Sequence, residues 1–266
     1  MAGRAKRAAR EAQSSTGLRL LARGGYVANG VVHVLIGAVV LVVALGGRGE
    51  ADQSGAFQTL AAVPAGFVVL WVIAVTLWAL ALWHLAQGLL ARGDAAPRWG
   101  TRLSEWGQSV AFAAVGAIAV SVALGARPDA DETAQDTSRG VLAVPGGVFL
   151  LGTVGLGVAI GGIVFIVLGV RRTFEKKMTI RPDGLGRTVV VLGVTGFIAK
   201  GVALGILGVL LVVAAAKVDP DEAGGLDSAV DALIEMPSGP LLAAVVGVGL
   251  IAYGVFCGFR GRYARL

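Results

Sequence analysis

The chain has 266 residues, 56% of them hydrophobic and 15% charged, with a mean hydropathy of +0.78. These proportions exclude a water-soluble enzyme, the unphased run of 41 glycines excludes collagen, and the single cysteine, Cys257, excludes a disulfide scaffold. What remains is a polytopic membrane protein, in which the net charge of +6 has to find its place.

A helix needs about 20 apolar residues to cross the hydrocarbon of a bilayer. Taken in chain order, six runs meet that length: 26–45, 66–90, 106–124, 146–170, 189–216 and 240–259. None alternates like a barrel strand, and backbone groups in lipid must be satisfied within each segment, so all six are predicted as helices. The basic stretch before the first run, with Arg4, Lys6, Arg7 and Arg10, is followed by no small-residue cleavage site. The first run is therefore predicted to be an uncleaved span.

The connections alternate in charge. Eighteen of the 23 Lys and Arg residues lie before the first run, in 91–105, in 171–188 and after 259. Twelve of the 17 acids lie in the other connections, among them Glu50, Asp52, Asp129, Asp131, Asp227 and Asp231. The positive-inside rule then predicts a multi-pass protein of the cell membrane with both termini cytoplasmic. The same bias accounts for a pI near 10 without a nucleic-acid partner.

Superposing the prolines of the acidic connections reveals an internal repeat. Pro64, Pro145 and Pro237 are each followed two residues later by Gly66, Gly147 and Gly239. Before them lies a short apolar pattern, Phe57, Leu60 and Val63 in the first copy and Val230, Leu233 and Met236 in the third. GYVANGVVHVLIGAVVLVVAL at 25–45 also matches GFIAKGVALGILGVLLVVAAA at 196–216. The predicted organisation is three two-helix repeats at 25–91, 106–175 and 189–259, with loops at 92–105 and 176–188, a basic segment at 1–24 and a basic tail at 260–266. The fold class is all-α: six transmembrane helices as three tandem helical hairpins, packed about a pseudo-threefold axis along the membrane normal. Small residues at helical spacing, Gly30 with Gly37, Gly157 with Gly161, Gly201 with Gly205 and Gly208, and Gly254 with Gly258, are predicted to be the close contacts.

GYVANG, GFIAKG, the loop KVDPDEAGGLDSAVDAL running to MPSGP, and the closing GLIAYGVF resemble the actinobacterial membrane proteins called domain of unknown function 1206. The resemblance covers 22–263 and implies three copies of a two-helix unit. It implies no activity, substrate or catalytic residue.

Ionisable residues inside spans are costly and become site candidates. Lys200 stands in the fifth run, and its repeat equivalents are Asn29 and Gln108. The three could converge as a polar, anion-binding pocket; the alternative is a lysine that snorkels to the headgroups. His33 and His84 sit at equal depth, about 12 Å in, on adjacent antiparallel helices. Bis-histidine haem or metal ligation is one reading and a hydrogen-bonded structural role the other. No HExxH, P-loop or GxSxG motif occurs, no cofactor is called for, and Cys257 has no neighbouring His or second Cys. The expectation is a non-enzymatic accessory or scaffolding bundle whose partners are the lipid bilayer and a membrane protein or a second copy. A small transporter built on Lys200, Asn29 and Gln108, and a haem protein built on His33 and His84, are the alternatives.

Overall fold

The computed structural model describes residues 2–91, 95–180 and 183–264. Ten α-helices follow one another among them: α1 Ala2–Ser14, α2 Thr16–Ala44, α3 Gln53–Ala61, α4 Gly66–Leu90, α5 Ala95–Ala123, α6 Ala130–Leu142, α7 Gly147–Val170, α8 Gly184–Lys217, α9 Leu226–Ile234 and α10 Gly239–Tyr263. Six of these, α2, α4, α5, α7, α8 and α10, are long and apolar enough to span a membrane. Each repeat is a long helix, a short helix at the acidic end and a long helix back. The architecture is thus all-α, with three helical hairpins in tandem.

The turn that starts each return helix has one design. In the first copy the amide of Gly66 donates to the carbonyl of Val63 across Pro64 and Ala65, and Ala65 is left-handed at φ 65°. A type II turn with proline second and a left-handed third residue has this geometry. Gly146 and Ser238 hold the same conformation in the other copies, at φ 81° and 62°. The next residue must be glycine for a separate reason: a Cβ on Gly66, Gly147 or Gly239 would strike the carbonyl oxygen of Leu60, Val141 or Ile234. The Pro-x-Gly anchors are therefore the point where the chain doubles back against its own short helix.

The strongest helix pairings run between repeats, not within them. The return helix of each copy packs on the first helix of the next: α4 on α5, α7 on α8, and α10 back on α2. Equivalent positions meet at each seam. A Cβ on Gly30 would lie 2.5 Å from the Gly254 carbonyl, and one on Gly201 would lie 2.6 Å from that of Gly162. At the third seam the equivalent residues are Ser109 and Ala81, and here the hydroxyl donates to the carbonyl at 2.8 Å. Gly37 meets Gly247 and Gly208 meets Ala159 one level nearer the acidic end. Cyclic pairing of equivalent positions is the pseudo-threefold relation expected from the repeat.

Two departures matter. Within the first and third copies the two long helices pack together, but in the middle copy α5 and α7 hardly touch among the described residues. Consistently, α7 is only 17% buried over its apolar window and α5 22%, against 56% for α10. Second, Gly157 and Gly161 do not make the predicted close contacts, since a Cβ on either would meet open space, whereas Gly205 and Gly258 offer only their backbone to the seam, Gly205 N lying 2.7 Å from where a Cβ on Gly162 would stand. Helical spacing fixes a common face but not whether that face looks inward.

The main apolar core joins α2, α4, α5, α8 and α10 in the half nearer the acidic end, with Phe57 of α3 fully buried under it. Val63 and Met236, the last members of the short apolar patterns, are instead exposed. At the basic end a second cluster forms around Phe197, Tyr253, Phe256 and Cys257. It is covered by a 3-10 turn at Thr173–Lys177 whose Phe174 packs on Phe197 and Phe256.

Candidate functional site

Between these clusters lies a buried layer of polar side chains. His33, on the inner face of α2, is 8% exposed. Its Nδ1 lies 2.8 Å from the Asn29 carbonyl oxygen one turn earlier. A carbonyl only accepts, so Nδ1 carries the proton and Nε2 presents a lone pair. The ammonium of Lys200, from α8, lies 3.1 Å from that Nε2 and donates to it. Two aromatic faces complete its surroundings: Nζ is 4.7 Å from the Tyr253 ring centroid and 5.4 Å from that of Phe165. Rings at this range attract a cation through their quadrupole. Among the described residues no carboxylate lies within ion-pair distance of Lys200.

Asn29 and Cys257 link α2 to α10, the amide Nδ2 donating to Sγ at 3.4 Å. The Tyr253 ring stands 4.8 Å from that of His33. Four helices, α2, α7, α8 and α10, thus contribute to one constellation.

The neighbouring seam holds a second constellation. His84 of α4 is 3% exposed, and its Nδ1 lies 2.6 Å from Oε2 of Glu105 on α5. Nδ1 donates to the carboxylate, so Nε2 accepts from the Tyr26 hydroxyl of α2 at 3.3 Å. The Arg260 guanidinium of α10 lies over the Tyr26 ring at 4.4 Å.

The predicted site residues therefore fall as follows. Lys200 and Asn29 both join the constellation around His33. Gln108 does not: it is half-buried and its Nε2 donates to the Ser104 carbonyl on its own helix at 3.2 Å. The structure thus brings Lys200 and Asn29 together around His33, while one turn of α5 satisfies the Gln108 amide locally. His33 and His84 lie in separate constellations, and both ring nitrogens of each have a protein partner.

Sequence reasoning missed Glu105. It lies at the edge of the third apolar run and was assigned to the loop 92–105, whereas α5 starts at Ala95 and Glu105 is 7% exposed. The repeat carried a signal: in the register that aligns Asn29 with Gln108, Glu105 falls on Tyr26 and Phe197, both inside helices. His84 likewise aligns with Phe165 and Cys257. One seam position is thus a His84–Glu105 hydrogen bond in one copy, a stack of Phe165 on Phe197 with centroids 5.6 Å apart in another, and the Asn29–Cys257 neighbourhood in the third.

Three hairpins, cyclically packed around a layer of buried polar groups, define a polytopic all-helical membrane protein with a threefold internal repeat. The chain belongs to the family described as Domain of Unknown Function (DUF1206), which matches residues 24–91, 106–172 and 195–264. It is also 27% identical over 256 residues to an uncharacterized protein, YxxB, of Bacillus subtilis (strain 168), covering 94% of this chain and 92% of that one. No solved structure matches.

Proposed function

We propose that the protein is a non-enzymatic accessory bundle of the cell membrane, with both termini cytoplasmic, that assembles with a second copy of itself through α7. The observation that carries this reading is the outward pair Gly157 and Gly161. Four residues apart on the least buried span, they face open space where the other copies pack a neighbouring helix. Leu150 and Val154 extend the same exposed stripe. A small-xxx-small pair lets two helix backbones approach closely enough for dispersion and Cα–H contacts to hold them in lipid. The failure of α5 and α7 to pack on each other leaves room for that approach.

The cytoplasmic assignment is supported by the alternation of basic and acidic connections. A fluorescent reporter that matures only in the cytoplasm, fused after residue 266, should be active; a dark reporter with an active periplasmic one in the same place would reverse the orientation. The assembly is tested by single-molecule photobleaching in lipid at several protein-to-lipid ratios. Two-step bleaching should dominate for the wild type and fall severalfold for Gly157→Ile with Gly161→Ile. Single steps for the wild type at every ratio, or an unchanged double-substituted protein, would sink the proposal.

A further inference from the structure

The Lys200–His33 pair has no role in self-assembly through α7. It is also a poor place for a molecule, because the Asn29 carbonyl and the Phe165 and Tyr253 rings already occupy the contacts that the pair does not make with itself. A proton is the one ligand that a packed interior takes without a cavity.

The geometry points to a proton-binding site inside the spans: Lys200 Nζ and His33 Nε2, 3.1 Å apart, hold a single proton between them. The N–H bond that breaks on one nitrogen is matched by the N–H bond that forms on the other. With the proton on Nζ the pair is an ammonium donating to a neutral imidazole. With the proton moved to Nε2 the pair is an imidazolium donating to a neutral amine, since Nδ1 keeps its own hydrogen on the Asn29 carbonyl. Loss of that proton leaves both groups neutral. Gain of a second places two cations in hydrogen-bond contact in a medium of low dielectric, which is strongly opposed. The pair therefore titrates as one unit between zero and one positive charge.

The surroundings fit that assignment. The elements packed against the pair supply aromatic and dipolar groups: Phe165 from α7, the Asn29 carbonyl from α2, and Tyr253 from α10. The titratable or charged groups facing it are Tyr253, Cys257 and Arg260, all from α10. None is a carboxylate that would pin the proton permanently on the amine. Ring faces stabilise the cation by less than a countercharge does, so the charged state stays reversible.

The test is nuclear magnetic resonance of the full chain in lipid nanodiscs, with 15N in the histidine rings and lysine side chains, between pH 5 and 10. His33 Nε2 and Lys200 Nζ should move together with one midpoint while Nδ1 remains protonated throughout. In Lys200→Met the shared step at Nε2 should vanish, and in His84→Gln it should persist. Separate midpoints more than one pH unit apart, no movement of either nucleus, or an unaltered step in Lys200→Met would each overturn the assignment. The wild-type co-titration decides the matter alone if the methionine variant does not fold.

Discussion

Asp227 is a carboxylate caught between two loops. It accepts a hydrogen bond from the backbone amide of Ala51 at 2.8 Å, from a different repeat; burial pushes its carboxyl above the ordinary range, the Ala51 hydrogen bond opposes that, and the nearby Asp231, Asp131 and Asp52 add to the rise. Glu50 and Asp231 are raised for the same first reason, burial, with neighbouring carboxylates adding to it. A carboxylate whose folded value lies above its unfolded one costs stability at neutral pH, and that cost is relieved as pH falls through the folded value. The amide of Ala51 should accordingly show a higher hydrogen-exchange protection factor at pH 5 than at pH 7. Asp227→Asn keeps the acceptor and removes the charge, so it should raise protection at pH 7 and flatten the slope. A slope of opposite sign would refute the account. Glu105 shows what the sequence withholds at this scale. A carboxylate beside an apolar run reads as loop, and only the partner that contacts it, His84, explains why it is buried. Lys200 and His33 were each visible as costly intramembrane residues, but their pairing was not, since they lie on different repeats and nothing in either helix alone sets the rotation of one against the other.

Among helices, contact is decided by which glycine faces a neighbour. Gly201 and Gly205 sit one turn apart on α8, yet a Cβ on Gly201 would run into the Gly162 carbonyl and the Ile166 side chain, whereas on Gly205 it meets nothing. Gly201→Ala should therefore destabilise by about 1–3 kcal/mol through forced separation of α7 and α8. Gly205→Ala should be neutral or gain up to about 1 kcal/mol from helix propensity. Thermal unfolding of both variants in the same detergent measures the contrast, and equal effects would mean that the α7–α8 seam is looser than described. The number and approximate extent of the long helices were legible because lipid imposes a simple length rule. Their true ends were less so. At 34 residues α8 is roughly 51 Å long, well beyond a span of about 30 Å, and nearer its basic end Val189 and Gly193 pack in the cluster that holds Phe174, where they need no lipid.

At the acidic end of the whole molecule three loops hold one another in a circle. Gln58 of the first donates to the Pro128 carbonyl of the second at 3.5 Å. Asp131 of the second accepts from the backbone of Gly225 and the hydroxyl of Ser228 in the third, and Asp227 of the third accepts from Ala51 of the first. Together with the return of α10 onto α2, this makes each copy the neighbour of both others. The order in which the copies are strung on the chain is then incidental to how they meet. A permuted gene that begins at residue 95, joins 266 to 1 through a flexible linker and ends at 91 should yield the same bundle, with the seam between α4 and α5 now formed by the two ends of the chain. Cysteines placed at Ala81 and Ser109, across that seam, should cross-link as readily in the permuted protein as in the parent. Such a molecule has no privileged first repeat. Accretion or exchange of a hairpin is a change in its circumference, and the hydrogen bond of His84 to Glu105 and the amine of Lys200 are what distinguish one sector of the circle from the next.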